Sequence, residues 1–350
     1  MTRFGIEEEF QLLEENTLVP LPLGSAARRA LPSGVGTVGK EFLTSQVEFS
    51  TTPVLTLSAA REQLRAFRLA LASFARDHGA VAIGSGTPFG IGPEASVSTS
   101  ERYGTVARWL GHIVDEHHVN GLHLHVEVLD DEARVRALNA VRPWMPALLA
   151  VAGNSPFADG RDTGHQSWRT VIMRRLPLTG CPPHFRDMGH YRATVDRLVT
   201  QHVIPDLASV CWAARLSETY PTVELRIFDA QLTTEDALLC AALGRALVES
   251  AADMDVPMRD GDAVQASLWA AAREGLDATL VDPFSGDLIP ARQAVSLLMQ
   301  VITPALTASG DLAFAAAHLD RILEAGTGAQ RQRDAYAEAG IPGLRALLRG

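Results

Sequence analysis

The sequence predicts a mixed α/β chain with a carboxylate-bearing sheet in its first two thirds and a helical final third. Strand-like alternation recurs at 4–13, 42–50, 80–84, 122–129 and 222–230, and it thins out afterwards. Helical periodicity dominates from Gly261 onward, in segments near 264–274, 291–306, 311–325 and 329–339. No proline-, glycine- or serine-rich linker separates the two regions, so one large domain over 1–350 is expected, its sheet-bearing part spanning about 1–250 and its helical part about 251–350.

Each element has a local reason. Residues 4–13 alternate apolar and acidic side chains, as a half-buried strand requires. Between the second and third strands lies a helix over 59–78, with Leu64, Phe67, Leu71 and Phe74 at helical spacing, Ser58 placed to cap it and Gly79 to stop it. Four glycines and two prolines make 84–93 a loop. A helix is predicted over 103–116. Another opens at Asp130 or Asp131, is interrupted by Pro143 and Pro146, and resumes to about Ala152. Irregular periodicity and many turn formers mark 153–183 as a long loop with a functional purpose. A strong helix runs from Glu235 to about Asp253.

Composition narrows the chemistry. The 350 residues are 47% apolar and 21% charged, ordinary values for a globular enzyme, with a formal net charge of −10. That charge argues against nucleic acid or an anionic membrane as a partner, because both need a basic surface. Lys40 is the sole lysine and no Gly-Lys-Ser/Thr follows a glycine-rich loop, so a P-loop nucleotide site is excluded. Cys181, Cys211 and Cys240 are odd in number and widely spaced, which fits reduced thiols and no zinc framework. Neither a basic leader nor an apolar run of about 18 residues is present, so a soluble cytoplasmic protein is expected.

The chemistry-bearing residues sit inside the strands. In Gly5-Ile6-Glu7-Glu8-Glu9-Phe10, alternation sends Glu7 and Glu9 to one face and Glu8 to the other. Two adjacent carboxylates repel unless a cation lies between them, and hard oxygen ligands suit magnesium or manganese. Glu41 and Glu48 are seven residues apart, an odd number, so an unbroken strand would point them to opposite faces. If both serve one site, a bulge or turn near Thr44-Ser45 must intervene. His123, His125 and Glu127 share one face of the next strand, and Glu224 and Arg226 share one face of the last. An acidic edge in water, a satisfied structural histidine and a simple Glu–Arg pair are the bland readings of each segment. Together the four strands describe an acidic cavity whose charges need cations to compensate them.

These residues carry a resemblance. The opening motif, Glu41 and Glu48 followed by Thr51-Thr52-Pro53, the strand Gly121-Leu122-His123-Leu124-His125-Val126, and Thr222-Val223-Glu224-Leu225-Arg226 resemble the glutamate–cysteine ligase type 2 family. So do Asn154-Ser155-Pro156-Phe157 and the loop through Gly160, Asp162-Thr163-Gly164, Ser167 and Arg169. The matches run in order from Phe4 to Val248, about 70% of the chain. The family is one of carboxylate–amine ligases related to glutamine synthetase. The resemblance implies an α+β fold with a mostly antiparallel sheet curved into an active-site cradle and helices packed outside it; a homodimer is expected only as the general default for soluble oligomers.

It also implies a reaction. ATP phosphorylates a carboxylate, commonly the side chain of glutamate, and an amine displaces phosphate from the acyl phosphate to leave an amide. Carried over residue by residue, Glu7, Glu9, Glu41, Glu48, His123 and Glu224 are the expected ligands for Mg²⁺, with Mn²⁺ a possible substitute. Arg226 is expected on the γ-phosphate and the acyl phosphate, and Arg169 on the carboxylate of the acid substrate. Glu127 departs from the pattern, standing where the family's strand usually has glycine. It either disfavours an anionic acceptor, recruits a basic amine, or reaches solvent at the strand end. Two other functions remain open: a metal-dependent amide hydrolase on the same scaffold, and a catalytically silent binding homologue.

Overall fold

A computed structural model describes residues 2–31, 34, 36–92, 96–251, 254 and 257–349. Strand β1, Phe4–Glu14, is the spine of a seven-stranded sheet. Its neighbours are β3 (Gln46–Ser50), with β2 (Thr37–Lys40) outside it, and β5 (Gly121–Glu127) on the opposite edge. Beyond β5 come the Thr222–Asp229 strand and then Ala214–Leu216, while β4 (Ala80–Ile83) extends the far half of β1. Every pairing in this sheet is antiparallel, as the resemblance implies.

One sheet face is apolar. Ile6 and Phe10 of β1, Leu122, Leu124 and Val126 of β5, and Val223, Leu225 and Phe228 of the last long strand are all buried there. The Leu57–Asp77 and Thr234–Ser250 helices contribute to the layer that covers this core. Phe67 stacks on Phe49 at 4.3 Å between ring centroids and meets Phe10 at 5.4 Å. Gly244 lets the second helix approach closely: a Cβ there would lie 2.7 Å from Leu124 and 2.8 Å from Leu225. Glu8 also points to this side, where Arg68 meets its carboxylate at 2.7 Å.

Several boundaries differ from the sequence reading. The first long helix is capped by Thr56, whose hydroxyl accepts from the Ala59 amide at 3.2 Å, and Ser58 falls inside the helix. The expected 42–50 strand shrinks to β3, because Glu41–Ser45 turns instead of pairing continuously, and β2 precedes that turn. The 103–116 helix divides into Glu101–Leu110 and a 3₁₀ turn at Gly111–Glu116. The long loop holds the short helix Trp168–Met173, and the Met188–Thr200 helix and Ala214–Leu216 strand were not anticipated. The last helix breaks at Ala339-Gly340, where the expected segment ended. The expected helix end at Asp253 and loop end at Pro93 lie outside the described residues.

Candidate active site

The polar face of the sheet is built by register. Glu9 lies directly opposite Glu48, Glu7 opposite His123, and His125 opposite Glu224, so one band of ligand-type side chains crosses four strands. Opposed positions on one sheet face bring Cβ atoms to about 4.5–5.5 Å, and like charges there are destabilising unless compensated. Glu41 joins from the turn that brings it onto the same side as Glu48, with bends and turns at Thr44 and Ser45 as the odd spacing required.

Two groups of ligand atoms result. Carboxylate oxygens of Glu9, Glu41 and Glu48 lie within 4.8 Å of one another, and so do ligand atoms of Glu7, His125 and Glu224. His125 is oriented for such a role: Nδ1 is 3.0 Å from the Thr222 hydroxyl, while Nε2 is buried without a hydrogen-bond partner. That Nε2 sits 3.4 Å from Glu7 and 3.9 Å from Glu224. His123, the expected ligand, stands between the groups, 3.6 Å from Glu7 and 3.9 Å from Glu9. An orphaned imidazole nitrogen among carboxylates, next to a purely carboxylate group, fits divalent cations well.

The electrostatics of the two groups differ. Burial pushes the carboxyls of Glu9, Glu41 and Glu48 up, Glu41 to about 8. The charge of Glu9 adds to this at Glu41, and the charge of Glu41 adds to it at Glu48. At Glu7 and Glu224 burial acts in the same direction but loses. His123 and His125 hold Glu7 well below the usual carboxylate range, and Arg226 with Arg215 does the same for Glu224. Burial, helped by Arg226, depresses His123 to about 4, which leaves a neutral imidazole at pH 7.

Arginines form the other side of the site. Arg226 donates to the Glu224 carboxylate, as does Arg215, through Nε at 2.6 Å and Nη2 at 3.2 Å. Arg215 also donates to the carbonyls of Ala208 and Val210, both at 2.9 Å, so it ties Glu224 to the cleft wall. Arg169 is 5% exposed, its guanidinium lying over the start of β5. Gly121 permits this approach, since a Cβ there would fall 2.5 Å from Arg169 Nη2. Glu7, Glu9, Glu41, Glu48, His123, Arg169, Arg215 and Arg226 line one cleft of about 300 Å³, together with Gln46, Tyr103 and His117.

Sequence reasoning placed Glu7, Glu9, Glu41, Glu48, His123, Glu224, Arg226 and Arg169, and the structure brings them together. It missed Arg215, because a three-residue strand carries too little alternation to be read. Glu127 lies at the end of β5, part-exposed and 3.9 Å from Arg3, and is not among the cleft-lining residues.

The antiparallel cradle gathers carboxylates, imidazoles and arginines in one cleft, and the family model and relatives make the chain an ATP-dependent carboxylate–amine ligase. The chain belongs to glutamate–cysteine ligase family 2, whose model matches residues 3–348. It is 39% identical to a putative glutamate–cysteine ligase 2-2 of Saccharopolyspora erythraea, over 98% of this chain and 90% of that one. A putative glutamate–cysteine ligase 2 of Salinispora tropica is likewise 39% identical, covering 98% and 92%. Among solved structures, the fold resembles the glutamate–cysteine ligase of Francisella tularensis in complex with AMP, with a TM-score of 0.74 at 13% identity over 99% of this chain and 87% of that chain. A bifunctional glutathione synthetase from Pasteurella multocida gives 0.70 at 16% identity, over 99% of this chain and 52% of the other. Among the described residues no helix is long and apolar enough to cross a membrane.

Proposed function

We propose that the protein uses ATP and Mg²⁺ to join the side-chain carboxylate of glutamate to an amino-acid amine, cysteine first among the candidates, forming a γ-glutamyl amide. The observation that carries this reading is the pair of ligand groups on one sheet face, with Arg226 and Arg169 beside them. Glu9, Glu41 and Glu48 would hold one cation, and Glu7, Glu224 and a histidine another. His125 is the nearer histidine in this geometry, and His123 stands by for either site. Bound there, the cations neutralise nucleotide phosphates and the charge on the transferring group.

The chain's own residues do the rest. Arg169 orients the acid through a carboxylate, and its burial strengthens that contact by excluding water. An oxygen of the γ-carboxylate attacks the γ-phosphorus; the bond to ADP breaks and an acyl phosphate forms. Arg226, released from Glu224, faces the equatorial oxygens and then the acyl phosphate. The amine nitrogen next attacks the acyl carbon, the C–O bond to phosphate breaks, and the amine's proton passes to the departing phosphate as the amide forms. Met173 and Cys211 line the wall beside both arginines.

The test is incubation with Mg²⁺, ATP, L-glutamate and a panel of amines, following ADP and product mass. The proposal expects ADP formation that depends on one amine and yields the matching γ-glutamyl product. Amide cleavage without ATP consumption would instead reveal a hydrolase, and ligand-induced stabilisation without turnover a silent binder.

A further inference from the structure

Asp229 ends the last long strand, fully buried, and no part of the reaction above uses it. It is five residues beyond Glu224, so in a regular strand it would point to the opposite face. The strand is not regular. Leu124 pairs with Leu225 and Leu122 with Phe228, which sets one residue of β5, His123, against two on the partner, Arg226 and Ile227, the signature of a β-bulge. Phe228 therefore turns to the apolar side and Asp229 to the side that holds Arg169.

Once there, its carboxylate is saturated by the loop that carries Arg169. Oδ2 accepts from the Asn154 amide at 2.9 Å and the Ser155 hydroxyl at 2.7 Å, and Oδ1 accepts from the Ser167 hydroxyl at 2.9 Å. Ser155 Oγ in turn accepts the Arg169 main-chain N–H at 3.0 Å. Ser167 caps the helix on which Arg169 sits. The Arg169 guanidinium itself lies 3.9 Å from Oδ1 and reaches the Arg226 carbonyl at 3.3 Å. Asp229 is thus tied both to the backbone of Arg169 and to its buried charge, which has no other carboxylate within ion-pair distance among the described residues. A buried guanidinium without a countercharge is costly, and a loosened one holds a carboxylate poorly.

We infer that Asp229 is a positioning residue for the acid-substrate pocket, fixing Arg169 through this hydrogen-bond knot. The inference rests on the reading of Arg169 as the group that binds the acid. Asp229→Asn keeps the shape but removes the charge and presents an amide N–H₂ to groups that themselves donate. It is expected to raise KM for L-glutamate about tenfold, leaving KM for ATP within about twofold and lowering kcat less than KM rises. Ser167→Ala, a milder cut of the same knot, should raise the glutamate KM about threefold.

The decisive arm is the double variant. If Asp229 acts through Arg169, Asp229→Asn adds nothing to the glutamate KM of Arg169→Ala. Equal effects in both backgrounds, or an unchanged KM in folded Asp229→Asn, would overturn the inference while leaving the pocket reading intact. An unchanged glutamate KM in Arg169→Ala would remove the pocket reading itself, and the inference with it. Should Asp229→Asn fail to fold, Ser155→Ala and Ser167→Ala make the same comparison in the Arg169→Ala background.

Discussion

Glu8 and Glu48 show how differently two strand carboxylates can be employed. Glu8 is a buried structural acid answered by Arg68 across the apolar face. Glu48 faces Glu9 directly and shares its cavity with Glu41, so without a compensating cation its charge is a liability. Replacing Glu48 with Gln is therefore expected to lower turnover by about 100-fold or more while raising the thermal midpoint of the metal-free protein. Scanning calorimetry in EDTA with a parallel activity assay checks both halves; a variant that loses stability together with activity would show that Glu48 is a structural residue. At this scale alternation was a sound guide. It separated Glu8 from Glu7 and Glu9 and grouped His123 with His125. It failed at Asp229, because a bulge shifts parity and leaves no mark in the residue types of Arg226-Ile227.

Elements were legible where their signals were local. The helix now bounded as Leu57–Asp77 was found from the spacing of Leu64, Phe67, Leu71 and Phe74, yet its cap was misplaced by two residues. Ser58 and Thr56 are both good capping types, and only the backbone decides between them: Thr56 is extended and Ser58 helical. Thr56→Ala should cost about 1 kcal/mol in urea unfolding, whereas Ser58→Ala should change stability by less than about 0.5 kcal/mol. The reverse order would restore Ser58 as the cap. Elements held by distant partners stayed hidden. The Ala214–Leu216 strand exists because its backbone pairs with Val223–Leu225, and β2 exists because β3 offers it an edge. The Met188–Thr200 helix packs Tyr191 against the nearby Phe185 and against Trp212, a partner beyond any window of sequence around the helix.

Across the molecule, a sheet with one apolar face and one densely ionised face is a compromise between folding and catalysis. Helices stabilise the first face, and on the second the carboxylates of Glu9, Glu41 and Glu48 crowd one another. Removing divalent cations should therefore lower the melting temperature, and Mg²⁺ at about one hundred times its dissociation constant should restore about 2.7 kcal/mol per site. A melting temperature indifferent to EDTA and Mg²⁺, measured without nucleotide, would mean that the carboxylate groups hold no cation in the resting protein. The helical third has a separate place in this design. Arg321 and Arg331 of its helices both reach the buried Asp236 at the start of the Thr234–Ser250 helix, fastening the outer layer to the sheet's apolar side.

The proposed reaction activates a substrate carboxylate as an acyl phosphate within this cradle. L-Glutamate labelled with ¹⁸O in its γ-carboxylate, turned over with unlabelled ATP and the productive amine, tests it most directly. Each released phosphate is expected to carry one ¹⁸O atom taken from the carboxylate. Unlabelled phosphate accompanied by amide product would contradict it.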